Sequence, residues 1–87
     1  MITVYTKNNC MPCKMTKRKL QELGVSYKEI NVDEDLSALE FLMECGFRSL
    51  PVVFNSNGAP MVTGGYAPNI LETIVSYEHS KHVSDEK

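Results

Sequence analysis

Val4-Tyr5-Thr6-Lys7-Asn8-Asn9-Cys10-Met11-Pro12-Cys13 places a short apolar run, Ile2 to Thr6, directly before two cysteines that open a helical pattern. A strand that delivers a Cys-x-x-Cys pair to a helix start is a redox arrangement. The orphan N–H groups of the first turn point at the leading sulfur, the helix dipole favours negative charge there, and Lys7 and Lys14 add positive potential. Cys10 therefore reads as an exposed, partly ionised nucleophile. Cys13, one turn on, shares its helix face and is close enough to attack a mixed disulfide on Cys10 and release the substrate.

Cys-x-x-Cys is also the commonest zinc half-site, and that alternative needs two more ligands. The chain offers Cys45, His79 and His82. The two histidines lie in a polar stretch and are spaced more tightly than the roughly three to five residues usual between zinc histidines. An inert buried pair is the third reading, and the strand-then-helix context favours redox over both.

At 87 residues the chain supports one compact domain with little core to spare. With 43% hydrophobic and 23% charged residues it has the make-up of an ordinary soluble globule. A net charge of -2 argues against nucleic acid as the general partner. Charge is nevertheless uneven: Lys14, Lys17, Arg18 and Lys19 follow the thiols, whereas Asp33, Glu34, Asp35, Glu40 and Glu44 come later. The basic group reads as the solvated face of a helix, with a docking surface for an acidic partner as the second reading. No basic-then-apolar leader pattern occurs, and no apolar run approaches the roughly 18 residues of a membrane span. The expectation is a cytoplasmic protein without membrane attachment, whose cysteine pair cycles rather than staples.

Beyond the first strand, Met11 to Leu23 reads as a helix with Cys13, Thr16, Leu20 and Leu23 inward and Gly24 as its stop. Tyr27 to Val32 reads as a second strand, and a helical crossover of that length makes the two strands parallel. Asp33 or Asp35 caps a second helix running to about Cys45, with Leu36, Leu39, Leu42 and Met43 inward, Gly46 as stop and Phe47 closing the end. Pro51 to Phe54 and Pro60 to Val62 flank Asn55-Ser56-Asn57-Gly58, a strong hairpin signal. Pro68 opens a last helix with Ile70, Leu71, Ile74 and Val75 on one face. Residues 1–78 thus form the domain, and 79–87 read as a loose polar tail. The order βαβ-α-ββ-α implies an α/β, thioredoxin-like fold: a four-stranded mixed sheet with three helices on its two faces.

Five segments together carry a family resemblance: Tyr5-Thr6-Lys7, Cys10-x-x-Cys13-Lys14-x-Thr16-Lys17-Arg18, Ile30-Asn31-Val32-Asp33, Gly46-Phe47-Arg48-Ser49-Leu50-Pro51-Val52-Val53 and Gly65-Tyr66-x-Pro68. The combination resembles the NrdH-redoxins, glutaredoxin-sized electron donors of class Ib ribonucleotide reductase that draw on thioredoxin reductase rather than glutathione. The resemblance covers about residues 2 to 75. It implies Cys10 as attacking thiol, Cys13 as resolving thiol, and Pro51 as a cis-proline facing the pair. It further implies substrate contacts from Lys7, Met11, Pro12, Arg48, Leu50, Pro51, Gly65 and Tyr66. Implied partners are thioredoxin reductase and the large subunit of class Ib ribonucleotide reductase, for a monomer with a redox-active Cys10–Cys13 disulfide and no bound cofactor or metal.

Two features depart from that family's usual pattern. Pro12 beside Cys13 resembles the thioredoxin turn. Gly64-Gly65 resembles the paired glycines of glutathione-binding glutaredoxins, although Ala67-Pro68-Asn69 supplies none of the acidic residues that usually follow. A glutathione-dependent dithiol glutaredoxin is therefore the second function implied, and an iron-sulfur or zinc carrier the alternative from another class. Cys45 reads as a semi-buried side chain without a role, and Tyr5 as core packing with a possible place beside the groove.

Overall fold

Ile2, Val4 and Thr6 are buried and alternate with half-buried Thr3 and Tyr5, the two-residue period of a strand, here β1 (Ile2–Thr6). The computed structural model describes the backbone of residues 1–85 and the side chains of residues 1–78. After β1 come α1 (Met11–Glu22), β2 (Tyr27–Asn31), α2 (Leu36–Glu44), β3 (Val52–Phe54), β4 (Pro60–Thr63) and α3 (Pro68–Asp85). The α1 crossover leaves β1 and β2 parallel, with Ile2 opposite Tyr27 and Thr6 opposite Asn31. β3 pairs antiparallel with both β1 and β4, so the four strands form one mixed sheet in the order β2-β1-β3-β4. This is the thioredoxin-like arrangement that the element order implies.

Two cores lie on opposite faces of the sheet, separated by the strand alternation. On one face Ile2, Val4, Val53 and Val62 meet Leu20 of α1 and Leu71, Ile74 and Val75 of α3. On the other, Val52 and Val32 meet Ala38 and Leu42 of α2, with Tyr5, Phe47 and Phe54 packed against them. Tyr5, Phe41 and Phe54 form an aromatic cluster whose ring centroids are 5.6 to 6.1 Å apart. Fully burying side chains of this size contributes about 1.5–3 kcal/mol each, so both faces of the sheet are needed to hold a chain this short.

Four sequence expectations are corrected in detail. The α2 stripe is narrower than expected: Leu36 and Met43 are 71% and 65% exposed, and contact is made through Ala38 and Leu42 with Leu39 half-buried. Asp35 is the cap, its Oδ1 accepting from Ala38 N at 3.1 Å, which puts Leu36 at the solvent-facing start of a two-turn helix. Asp33 turns elsewhere. Ile70 lies outward at the start of α3, since Leu71, Ile74 and Val75 suffice to fill its contact with the sheet. Cys45 ends α2 as an exposed free thiol rather than a semi-buried one. The fourth concerns Cys10 and is described with the site. The tail expected over 79–87 lies outside the described side chains; its backbone is described as far as Asp85, within α3.

The hairpin turn also has a physical reason. Gly58 takes φ 82° and donates its N–H to Asn55 O at 3.0 Å, while Asn55 Oδ1 accepts from Asn57 N and Ala59 N. The Asn55 side chain thus supplies the turn's acceptors, and the one left-handed residue is a glycine.

Candidate active site

Cys10 is the N-cap of α1, in extended conformation at φ -119° and ψ 101°, so its side chain folds back over the first turn. Its Sγ accepts a hydrogen bond from Cys13 N at 3.2 Å, and its carbonyl accepts from Lys14 N at 3.1 Å. Pro12 sits in the first turn, where its missing N–H has no intrahelical partner to lose. Cys10 and Cys13 are joined as a disulfide, their Cα atoms 5.2 Å apart. The pair that the spacing brought forward as thiols is thus a dithiol–disulfide couple, seen oxidised.

The expectation of an exposed Cys10 is corrected: in the disulfide it is 4% exposed, with Leu50 lying against its sulfur, while the neighbouring Met11 is 64% exposed. Cys10 Sγ is 3.9 Å from Leu50 O. A disulfide sulfur carries no proton, so this is contact rather than a hydrogen bond. The Leu50–Pro51 peptide is cis, the geometry that the family resemblance implied, and Pro51 is buried at the start of β3. The segment ahead of Pro51 therefore lies against the leading sulfur.

Arg48 and Leu50, both expected at the site, line one open apolar groove with Leu39, Leu42, Met43, Phe47 and Ser49; its volume is about 360 Å³. Arg48 and Lys7 are exposed, and Pro12 is half-buried. Gly65 is exposed at φ 78° and Tyr66 is half-buried against the main core. Gly64, at φ 138°, runs so close to Ser49 that a Cβ there would stand 2.8 Å from Ser49 Cβ, so the loop before α3 is seated directly on the segment that leads to Pro51.

Several residues beside the site escaped the sequence reading. Thr6 is buried at the end of β1, and its hydroxyl donates to Glu29 Oε2 at 2.8 Å while Lys17 Nζ reaches the same oxygen at 3.0 Å. Burial pushes the Glu29 carboxyl up, but the Thr6 hydrogen bond and the Lys17 hydrogen bond and charge together outweigh it, leaving the group below the ordinary carboxylate range. Lys19 pairs with Glu72 at 2.8 Å, joining α1 to α3. Arg18 adds a long, exposed pair with Glu22 at 4.0 Å, so three of the four basic residues after the thiols have an acidic partner within the molecule, which reduces the patch free for a docking partner. On the opposite face burial raises the Tyr5 phenol, with the negative charges of Cys45 and Asp35 adding to it. A signal for the Thr6 contact existed: a threonine on the buried phase of a strand needs a hydroxyl partner, although nothing in the chain names which.

Chemically, the arrangement presents a disulfide whose leading sulfur sits at a helix start, and whose amide partner is already aimed at it. Among the described residues no three of His, Cys, Asp and Glu converge as a metal would require. No described helix is long and apolar enough to cross a membrane.

Comparison with known proteins matches this geometry. The glutaredoxin family model covers residues 2–58. The glutaredoxin-like protein NrdH of Lactococcus lactis subsp. cremoris is 44% identical over 71 residues, 82% of this chain and 94% of its own length. That of Escherichia coli K12 is 35% identical over 79 residues, 91% of this chain and 94% of its own. The solved NrdH-redoxin of Escherichia coli, a glutaredoxin-like protein with a thioredoxin-like activity profile, superposes with a TM-score of 0.75 at 38% identity, covering 83% of this chain and 91% of that one. The fold, the paired cysteines and these relatives agree: the chain is a thiol–disulfide oxidoreductase and belongs to the glutaredoxin family, among its NrdH-redoxins.

Proposed function

We propose that this chain is a cytoplasmic, monomeric electron carrier that takes reducing equivalents from NADPH through thioredoxin reductase and passes them to the large subunit of a class Ib ribonucleotide reductase. Its redox centre is the Cys10–Cys13 couple. In the reduced protein, Cys10 thiolate attacks one sulfur of the substrate disulfide; a Cys10–substrate bond forms as the substrate S–S bond breaks, and the departing sulfur takes a proton. Cys13, deprotonated, then attacks Cys10 Sγ, which forms the intramolecular disulfide and releases the second substrate sulfur to be protonated. Two electrons have moved from the couple to the substrate. The flavoenzyme's dithiol reverses the exchange and regenerates both thiols.

The observation that carries this reading is the position of Cys10 Sγ, at the N-terminus of α1 and 3.9 Å from Leu50 O, in a chain 44% identical to an NrdH protein. Met11, Pro12, Lys7 and Arg48 are the contacts for an incoming protein, Leu50 and Pro51 its near edge, and Gly65 and Tyr66 its far edge. The thioredoxin-like activity profile of the Escherichia coli relative supports the choice of reductant.

The test is an NADPH-coupled disulfide reduction assay run with thioredoxin reductase and, in parallel, with glutathione and its reductase, followed by deoxyribonucleotide formation with a purified class Ib enzyme. Turnover in the first system and product in the last support the proposal. Turnover with glutathione alone would make the chain a glutathione-dependent glutaredoxin, and a coloured, iron-containing preparation would move it to the carriers.

A further inference from the structure

Cys10 is carried by Lys7-Asn8-Asn9, an exposed loop between β1 and α1 in which Asn9 adopts the left-handed conformation at φ 55°. Asparagine tolerates that conformation better than other residues with a Cβ, but the loop has no strand or helix ladder to hold it. What holds it is a closed ring of hydrogen bonds to the last residue of β2 and the turn after it. Asn8 N donates to Asp33 Oδ2 at 2.8 Å, Asp33 N donates to Asn31 Oδ1 at 2.8 Å, and Asn31 Nδ2 donates to Asn8 Oδ1 at 3.0 Å. Each of the three residues donates once and accepts once. The ring is anchored beneath by Val32, which is buried and donates its N–H to Thr6 O at 2.8 Å.

The geometry points to Asn31 and Asp33 as positioning residues for Cys10: through Asn8 they fix the loop that sets the attacking sulfur against Leu50 and over the Cys13 amide. This rests on the assignment of Cys10 as the attacking thiol. Neither residue touches a sulfur in any described contact, and both ends of the ring lie at the surface, where such bonds add little to global stability. Their effect falls instead on orientation, since only Asn9 separates the ring from Cys10. An acceptor on Asp33 other than a carboxylate serves equally well, because the role is to hold the Asn8 amide.

Electrostatics alone predicts the opposite outcome, which makes the inference testable. Removing the Asp33 charge near a thiolate favours ionisation and speeds attack at a given pH. Losing the ring slows it. The experiment measures, for reduced Asp33→Ala, Asp33→Asn and Asn31→Ala, the single-turnover reduction of insulin disulfides and, in a Cys13→Ser background, the rate of iodoacetamide alkylation at Cys10 as a function of pH, with thermal melting as control. Expected are a fall of about tenfold in both alanine variants, within the hundredfold that a misplacement of about 1 Å costs, and recovery to near the parent rate in Asp33→Asn. The Asn31→Ala, Asp33→Ala double variant is expected to match either single one, because a ring opened once is open. Parent rates in the alanine variants, faster attack in Asp33→Ala, or an Asp33→Asn as slow as the alanine variant would overturn the proposal. A Cys13→Ser parent in which Cys10 alkylates no faster than the exposed Cys45 would instead overturn the assignment of the attacking thiol.

Discussion

The backbone amide of Cys13 points at Cys10 Sγ across 3.2 Å, so the leading sulfur caps the helix that carries the sulfur to which it is bonded. On reduction the same amide faces a group able to become an anion. A hydrogen bond to a charged acceptor is worth about 1.5–3 kcal/mol, and one pKa unit corresponds to about 1.4 kcal/mol. The Cys10 thiol is therefore expected to titrate below the free value of about 8.5, because the amide and the helix start favour the thiolate. Thiolate ultraviolet absorbance of the reduced Cys13→Ser variant against pH measures it. A titration at or above about 8.5 would show that the cap geometry does not survive reduction.

The two sulfurs differ in position. Both are buried in the disulfide, but Cys10 caps α1 with Leu50 O 3.9 Å from its sulfur, whereas Cys13 lies within the first turn of the helix. Cys10→Ser is expected to abolish disulfide reduction. Cys13→Ser is expected to attack once and stop, leaving a mixed disulfide on residue 10 for want of a resolving thiol. Mass spectrometry of the trapped adduct locates it, and an adduct on Cys45, the exposed free thiol, would sink the division of labour.

The strands, the crossover and the thiol-bearing helix start were legible because each follows from local pattern: a two-residue period in Ile2 to Thr6, a helical period from Cys13 to Leu20, and a glycine after each of the first two helices. The burial of α2 was not. Leu36 and Met43 are as apolar as Leu42, and only the tertiary choice of Asp35 over Asp33 as cap decides which of them meets the sheet. Asp33 was free to take the other role because Asn8, 25 positions earlier, lies beside it. Contacts at that separation leave no periodic trace. The same holds for Thr6 with Glu29, and for the burial of Cys10, which depends on the Leu50–Pro51 segment arriving from across the sheet.

Glu29 makes stability depend on pH in the acid range. Its folded pKa lies below the unfolded value of about 4.3. The resulting stabilisation is complete above that unfolded value and is lost as pH falls through the folded one. Glu29→Ala at neutral pH also leaves the buried Thr6 hydroxyl without its acceptor, a loss of about 1–3 kcal/mol, with about 4–8 °C of melting temperature for each kcal/mol in a domain of this size. The melting gap between parent and variant is expected to be widest near neutrality and to narrow as pH falls below about 4. A gap independent of pH would mean that the Lys17 and Thr6 contacts do not favour the ionised carboxylate.

The choice of reductant turns on one missing charge. Gly64 brings its backbone against Ser49, and Gly64-Gly65 resembles the paired glycines of glutathione-binding glutaredoxins, but the exposed Asn69 in the first turn of α3 carries no charge to receive a glutathione ammonium group. An absent charge-assisted hydrogen bond forgoes about 1.5–3 kcal/mol, which is roughly tenfold to a hundredfold in affinity. Under the proposed function a protein reductase is not restricted to that contact, because the exposed Met11 and the apolar groove beside Leu50 offer it further area in which aromatic or aliphatic anchors can supply binding energy. Asn69→Asp is accordingly expected to lower the Michaelis constant for glutathione in the coupled assay by about tenfold or more and to leave turnover with thioredoxin reductase unchanged. Efficient glutathione use by the parent, with no gain in the variant, would show that the ammonium group is held elsewhere and would reverse the assigned preference.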